Sequence, residues 1–462
     1  MTRLSTSSKS LLILLVLLSA SEFVVRGPVR FLRANDFNDF ISPYIQSRAL
    51  VKGMDPYSPQ VLVQLWPTQG ARRPDFVAKD MADGTLIMKR GIPTAYPLTC
   101  LFLLAPLAIL PWPVAYMAWL IITMGLVLGA IWSLLSLVGF DSPIGFDSLV
   151  GFESEDWRAY VFVAFALALA PLHTGLAAGS IVISTVALCV IALVLNEREP
   201  GRAIVAGILF GIAICLKPQI GLPFFAYYLL RRNWRLVVTA AAVVAAAGLL
   251  AIARLAASGT PWLENYRTDN RVLLATGILS DFTERNPIRF GLINLQVLVY
   301  AIVHNAGAAN LLAFGLSAIL FGIWVVLLLR SKSVSNDVLL AMGTLAVLSL
   351  FPVYHRLYDA FLLIIPICWS LREFPRNRLA RAAFFLMLPF LIPGGTMLEQ
   401  LQLQHPISPS ITHSWYWTAI VMPHQIWFLL MLSVVLLLNM AGYGRPDQDT
   451  RPILQGGAGP AQ

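Results

Sequence analysis

The sequence predicts an all-α polytopic membrane protein, and this fold class follows from its composition and from the spacing of its apolar runs. Of its 462 residues, 58% are hydrophobic and only 12% are charged, and the mean hydropathy is +0.73. Soluble domains have about 25% charged residues. The apolar runs, in chain order, are 10–25, 97–110, 113–138, 158–172, 180–195, 203–216, 219–230, 236–253, 291–303, 309–329, 337–353, 360–371, 382–393 and 415–439.

These runs predict about 10 to 13 transmembrane or re-entrant helices. Several runs are too short to cross about 30 Å of hydrocarbon at about 1.5 Å per residue, so some helices are expected to be tilted, broken or re-entrant. We expect a re-entrant hairpin around His173 to Ser180. One integral membrane domain should cover residues 1–440, and residues 441–462 should form a disordered cytoplasmic tail.

The charged loops predict how the helices are oriented. The net charge of +9 could indicate a nucleic-acid-binding protein, but the basic runs 231–235 and 372–381 lie between apolar runs, as cytoplasmic loops do. With Arg3 and Lys9 inside, the first helix exports a long extracytoplasmic loop, 26–95. The N-terminus could be a cleaved signal peptide, but we favour an uncleaved helix because many spans follow. The loops 196–202 and 231–235 are both best placed inside, so residues 203–230 should leave and return, turning at Lys217 and Pro218.

Several classes of chemistry lack support in the sequence. The four cysteines lie in apolar runs without disulfide or metal-ligand spacing. No GxSxG, HExxH or Walker motif occurs, so hydrolase, zinc-protease and ATPase functions have no motif behind them. We therefore expect no metal and no cofactor.

The first loop contains the best candidate for a general base. The stretch NDFNDF places Asp36 and Asp39 directly before a helical pattern that ends at Gly53. One interpretation is a helix N-cap, which aspartate commonly provides. The other is a carboxylate near a low-dielectric interface, whose pKa is raised so that it can take a proton from a hydroxyl group. The two interpretations are compatible.

Further polar groups fall on the same predicted outer face. Lys217 precedes a helix-ending proline, and the run YHRLYD covers 354–359. Lys217 could be a snorkelling interfacial lysine and Arg356 an ordinary edge charge. Alternatively, Lys217, His355 and Arg356 hold an anionic head group, since a leaving phosphate needs positive charge nearby. Tyrosines of the outer face could line a sugar pocket, although an interfacial aromatic belt is the simpler interpretation.

Four segments resemble glycosyltransferase family 87, whose members depend on polyprenol-phosphate-mannose. The first loop carries Asp39-Phe40, Tyr44, Arg48-Ala49-Leu50, Gly53 and Asp55-Pro56-Tyr57 in the order of the family signature. Tyr96-Pro97, the helix 206–219 ending in Lys-Pro-Gln, and FPVYHRLYD at 351–359 continue the similarity, which covers about residues 10–440. Gly179-Ser180 and Leu98 depart from the family pattern and leave the sugar and the donor contacts open.

The resemblance implies a GT-C fold in the cell membrane, with an active site that faces away from the cytoplasm. It implies transfer of a hexose, mannose by default, from a polyprenyl-phosphate donor to a lipid or glycan acceptor with inversion. Asp39 rather than Asp36 falls on the catalytic position, and Lys217, His355 and Arg356 fall where the donor phosphate is expected. Candidates for the sugar or acceptor pocket are Asp36, Tyr44, Arg48, Tyr57, Tyr96 and Asp359.

The alternative is a lipid-linked saccharide flippase or another transporter. That function predicts polar residues inside several helices and a pathway open to each side in turn. Here the polar groups crowd one face, which favours chemistry at an interface.

Overall fold

The computed structural model describes residues 6–33, 39–67, 96–138, 156–273, 280–286, 288–330, 337–404, 407–412 and 414–442. Apart from one isolated antiparallel bridge between Leu292 and Arg356, these residues form helices and the turns between them. The helices are α1 Thr6–Val24, α2 Ile41–Lys52, α3 Pro59–Gln64, α4 Leu98–Ile109, α5 Trp112–Val138, α6 Trp157–Ala168, α7 Ala170–Ala177, α8 Ile181–Arg198, α9 Ala203–Leu216, α10 Pro218–Leu230, α11 Trp234–Ala257, α12 Trp262–Leu273, α13 Leu295–Val303, α14 Ala306–Arg330, α15 Val338–Leu348, α16 Ile364–Glu373, α17 Arg378–Met387, α18 Gly394–Gln404, α19 Pro409–Thr412 and α20 His424–Met440.

The long helices confirm the expected all-α polytopic class. Six helical stretches are long and apolar enough to cross a membrane: Thr6–Arg33, Trp112–Val138, Ile181–Arg198, Trp234–Ala257, Ala306–Arg330 and Arg378–Gln402. The bent pair α6 and α7 can form a seventh span, and four shorter apolar helices accompany them. Six or seven of the described helical stretches thus meet the length and composition of a membrane span, and the number of about 10 to 13 stays a prediction.

The distribution of apolar side chains distinguishes a lipid-facing shell from a protein core. Large apolar residues on the outer faces of α5, α11 and α14 are strongly exposed, among them Ile121 at 66%, Leu249 at 67% and Leu311 at 75%. A hydrocarbon environment accepts such faces, provided that the backbone is satisfied within the helix. By contrast, α8 and α15 are buried along most of their length, so they form the centre of the bundle.

The first helix extends further than the sequence predicts. It continues past residue 26, the expected start of the loop, through a π-helical turn at Val25–Val29 to Arg33. Pro28 lies in this turn, where the wider helix accommodates a residue without an N–H donor. Residues 6–24 pack along α6, whereas the π-helical turn and residues 30–33 contact α7.

The chain around Lys217 forms the predicted helical hairpin. The ring centroids of Phe210 on α9 and Tyr228 on α10 are 5.4 Å apart, which requires α10 to fold back along α9. A Cβ atom added to Gly221 would lie 3.0 Å from the backbone of Ile214, so the two helices approach closely. Lys217 therefore lies at the tip of the hairpin, and Pro218 opens α10 at a position that needs no N–H donor.

The segment before α8 differs from the expected re-entrant hairpin around 173–180. The chain breaks earlier, at Leu169, where α6 and α7 meet at an angle of 41°. Pro171 in the first turn of α7 has no N–H to continue the ladder of α6, which explains the break. A short turn through Gly179 then leads into α8, which is one uninterrupted helix.

The described part of the first loop is clamped to the end of α11. Gly53 ends α2 in the left-handed conformation (φ 67°), which favours glycine, and a Cβ atom there would meet the side chain of Ser258. Its carbonyl accepts a hydrogen bond from the Thr260 hydroxyl (2.7 Å), and Arg254 donates to the carbonyl of Val51 (2.8 Å). The rest of the predicted loop, 68–95, and the tail from 443 lie outside the described residues.

Candidate active site

Asp39 is fixed at the entrance of α2 by its backbone and by its neighbour Phe40. The Asp39 N–H donates to the carbonyl of Ala178 (2.7 Å), in the turn between α7 and α8. The Phe40 ring stacks on Trp119 with centroids 4.9 Å apart, and the Trp119 indole donates to the Gly179 carbonyl (3.1 Å). Phe40 occupies the N-cap position of α2, so Asp39 lies one residue before the cap. The N-cap interpretation of Asp39 is therefore wrong.

The Asp39 carboxylate lies beside the segment 354–359. It accepts a hydrogen bond from the Tyr358 hydroxyl, and the charges of Arg356 and Lys217 act on it. Burial raises the pKa of Asp39 above the usual aspartate value, and these partners offset only part of that effect. The side chain nevertheless stays partly exposed, so it combines a raised pKa with access from outside the protein.

Asp359 holds Lys217 in place through a salt bridge. One carboxylate oxygen lies 2.7 Å from Lys217 Nζ, and the other accepts from His355 Nδ1 (3.0 Å) and from the Arg356 N–H (2.8 Å). Burial alone would raise the pKa of Asp359, but Lys217 and the hydrogen bond from His355 outweigh it and lower the pKa to about 2. Asp359 therefore remains a carboxylate across the physiological pH range.

Arg356 presents a positive charge that forms no salt bridge within the described residues. Its Nε atom donates to the Tyr354 hydroxyl (2.5 Å), and its guanidinium lies 5.9 Å from the centre of that ring. Lys217 lies in a similar way over the Tyr358 ring, at 5.6 Å. Two cations thus flank Asp39, each beside an aromatic ring.

Two of the predicted contact residues have no free surface for a ligand. His355 is fully buried: its backbone carbonyl accepts from the Ile293 N–H (3.0 Å) and its Nδ1 faces Asp359. Asp359 is also fully buried, and both of its oxygens are occupied. Asp359 holds Lys217 and the Arg356 N–H, and His355 holds Asp359. The sequence had predicted a direct contact to phosphate for His355 and to sugar for Asp359.

Tyr44 and Arg48 form a separate anchor on α2. The Tyr44 hydroxyl donates to the Leu110 carbonyl (2.8 Å) and accepts from Arg48 (2.8 Å), while its ring meets Trp112 edge-on. Tyr44 is buried, because it closes the contact between α2 and the end of α4. Its position favours a structural role over the predicted pocket.

Tyr57 and Tyr96 meet at another anchor of the first loop. The buried Tyr57 hydroxyl donates to the Tyr96 carbonyl (2.7 Å), and Asp55 accepts from the Tyr57 N–H (2.9 Å) and from Asn265 (2.6 Å). These bonds fix the Asp-Pro-Tyr turn against α12. Asp36, the remaining candidate, lies outside the described residues.

Tyr354 and Tyr358 are the site residues that sequence reasoning missed. They contact the base and both cations, and burial together with the negative charge of Asp39 raises the pKa of Tyr358. Both tyrosines lie within the run YHRLYD, on either side of Arg356, and this spacing is the signal in the sequence that could have identified them. The whole arrangement can remove a proton and stabilise negative charge at adjacent points.

Comparison with known protein families identifies the family of this chain. A sequence model of glycosyltransferase family 87 matches residues 94–355, more than half of the chain. The match includes Lys217 and His355, whereas Asp39 precedes it. No curated protein and no solved structure matches the chain. The chain belongs to glycosyltransferase family 87 and is a membrane glycosyltransferase.

Proposed function

We propose that this enzyme transfers a hexose, with mannose as the default, from a polyprenyl-phosphate sugar to a hydroxyl group of a lipid or glycan acceptor. Asp39 acts as the general base and the anomeric centre is inverted. The observation that carries this proposal is the position of the Asp39 carboxyl group, which is partly exposed, has a raised pKa and is flanked by Lys217 and Arg356.

In the proposed step, the acceptor hydroxyl attacks the anomeric carbon from the face opposite the phosphate. Its proton passes to Asp39, a new carbon–oxygen bond forms, and the bond from the anomeric carbon to the phosphate oxygen breaks. The leaving lipid phosphate takes the electron pair. A carboxyl group with a raised pKa is a stronger base than an ordinary aspartate, so it suits this proton transfer.

Lys217 and Arg356 have the complementary role of holding the phosphate. Charge-assisted hydrogen bonds from such groups stabilise the negative charge that develops on the leaving oxygen. Tyr354 and Tyr358 keep the two cations at the site, and Asp359 orients Lys217. Since the donor already carries a good leaving group, positioning and one base suffice, and the proposed mechanism uses no metal.

We also propose that the site faces the extracytoplasmic side of the cell membrane. Lys217 lies at the tip of a hairpin whose other ends adjoin the arginine-containing segments 196–202 and 231–235. The positive-inside rule counts Lys and Arg and favours a cytoplasmic place for such short segments, which would direct the hairpin tip outwards.

The test uses purified protein in liposomes with radiolabelled polyprenyl-phosphate sugars and a panel of glycan and glycolipid acceptors. Wild type and Asp36→Asn should form a new glycosidic bond, whereas Asp39→Asn should not. If Asp39→Asn transfers sugar and Asp36→Asn does not, the base has been assigned to the wrong aspartate. Movement of the donor across the bilayer without any new glycosidic bond would contradict the proposed transfer and indicate a flippase.

The same assay reports the orientation of the site. Right-side-out vesicles should glycosylate an acceptor that cannot cross the membrane, and inverted vesicles should not. The opposite result would reverse the proposed topology.

A further inference from the structure

A second polar site lies outside the catalytic cluster. It is a cavity of about 450 Å³ between the segment 284–304 and the segment 399–422. The residues that define its chemistry are Glu284, Arg289, His304, Glu399, Gln402 and Trp417. The proposed reaction uses none of them.

One wall of the cavity continues along the chain into the backbone that pairs with His355 and Arg356. Arg289 and Phe290 line it, and the backbone directly after them pairs with the chain at His355 and Arg356. Leu292 forms an antiparallel bridge with Arg356, and the Ile293 N–H donates to the His355 carbonyl (3.0 Å). The backbone that carries Arg289 and Phe290 is therefore joined by hydrogen bonds to the backbone that carries His355 and Arg356.

The polar groups of the cavity are held in defined positions. One carboxylate oxygen of Glu399 accepts from the Phe290 N–H (3.1 Å), which leaves its other oxygen for a ligand. The Arg289 guanidinium lies 4.8 Å from the centre of the Phe290 ring and forms no salt bridge with a described residue. The Trp417 indole N–H is buried without a hydrogen-bond partner. Such an unsatisfied buried donor is rare in native proteins and needs an explanation.

Two backbone features also indicate a functional site. Trp417 begins a π-helical turn, Trp417–Val421, and such turns occur frequently at functional sites. His304 ends α13 in the left-handed conformation (φ 56°), which is costly for a residue other than glycine. Both features direct side chains that line the same cavity.

The chemistry of the cavity fits a neutral sugar ring. The carboxylates of Glu284 and Glu399 accept hydrogen bonds from hydroxyl groups, while Arg289 and Gln402 can donate to ring and hydroxyl oxygens. Trp417 adds an apolar face and an N–H donor. The cavity is lined by two glutamates, one arginine and one histidine, so its composition differs from that of the cationic site around Lys217 and Arg356.

We propose that this cavity binds a neutral hexose unit of the acceptor. This inference rests on the proposed function, because it assumes that the acceptor is a glycan or glycolipid. It adds to that function a binding site on the acceptor side, separate from the donor phosphate site.

The experiment is equilibrium dialysis of radiolabelled methyl mannobioside against purified protein in nanodiscs. Wild type and Asp39→Asn should bind this probe equally well. Glu399→Gln and Trp417→Phe should each weaken binding about tenfold, because each removes one group of the protein that forms a hydrogen bond with the ligand. Glutamine at position 399 can still accept from the Phe290 N–H, so the local fold should survive.

The chain provides matched controls. Gln400→Ala changes an exposed neighbour on the same helix, and Trp415→Phe changes an exposed tryptophan two positions from Trp417. Both should bind the probe like wild type. Inorganic phosphate should not displace the probe from the wild-type protein.

The inference is wrong if the wild type does not bind methyl mannobioside, if Glu399→Gln and Trp417→Phe bind it normally, or if phosphate displaces it. Binding is measured without turnover. A failure of the proposed sugar site is therefore distinguishable from a failure of the proposed transfer reaction, which is measured only in the liposome assay.

Discussion

Asp39 and Asp359 are two carboxyl groups of one site whose pKa values move in opposite directions. Burial raises the pKa of Asp39, while Lys217 and His355 hold the pKa of Asp359 at about 2 in spite of its burial. Pairs of titratable groups that are separated in this way usually have different roles. Asp39 can exchange a proton, whereas Asp359 is a permanent negative charge that orients its neighbours.

The raised pKa of Asp39 predicts the pH dependence of the reaction. A general base must be deprotonated, so kcat should rise with pH, with a midpoint above the usual aspartate pKa of about 3.9. The hydrogen bond from Tyr358 lowers the pKa of Asp39, so Tyr358→Phe should move that midpoint to higher pH. The measurement is the rate of sugar transfer at saturating substrates against pH. A midpoint that stays constant or falls in Tyr358→Phe would show that the observed titration does not belong to Asp39.

At the scale of elements, the hairpin of α9 and α10 determines where Lys217 lies. The sequence predicted this hairpin from the arginine-containing segments at both ends and the Lys-Pro pair in the middle. The close packing of Gly221 against the backbone of Ile214 brings the helices together below the tip. From there Lys217 reaches Asp359, 142 residues further along the chain.

Gly221→Ala should therefore disturb the site from a distance. Its Cβ atom would lie 3.0 Å from the Ile214 backbone, and such overpacking costs about 1 to 3 kcal/mol. We expect a lower temperature of thermal unfolding in detergent and a slower transfer, because the shifted hairpin moves Lys217. Gly125→Ala is the matched control: nothing lies within 4 Å of its added Cβ atom, and alanine favours a helix. Equal stability and activity of the two variants would show that the hairpin packing does not control the site.

Other elements show where sequence reasoning reached its limit. The first helical segment runs past its predicted end because a π-helical turn accommodates Pro28. The chain breaks at Leu169, earlier than predicted, because Pro171 lies in the first turn of α7. Neither effect changes the hydrophobic pattern from which the helices were predicted. The apolar runs locate helices well but contain little information about bends within them.

For the whole molecule, the fold class was predictable because membrane insertion is largely a property of composition and of apolar runs. The candidate base was predictable from its place in the first loop. The burial of His355 and Asp359 was not, because it depends on contacts among α9, α10 and the segments 292–295 and 351–359. A linear pattern cannot distinguish a histidine that faces a ligand from one, such as His355, whose ring already faces a buried carboxylate.

The central claim is that Asp39 removes the proton from the acceptor. It is tested most directly by the turnover number of Asp39→Asn at saturating donor and acceptor. Asparagine preserves the size of the side chain and cannot accept the proton, so kcat should fall by about 10² to 10⁴-fold, the usual contribution of a general base. A kcat within about tenfold of wild type would contradict this assignment.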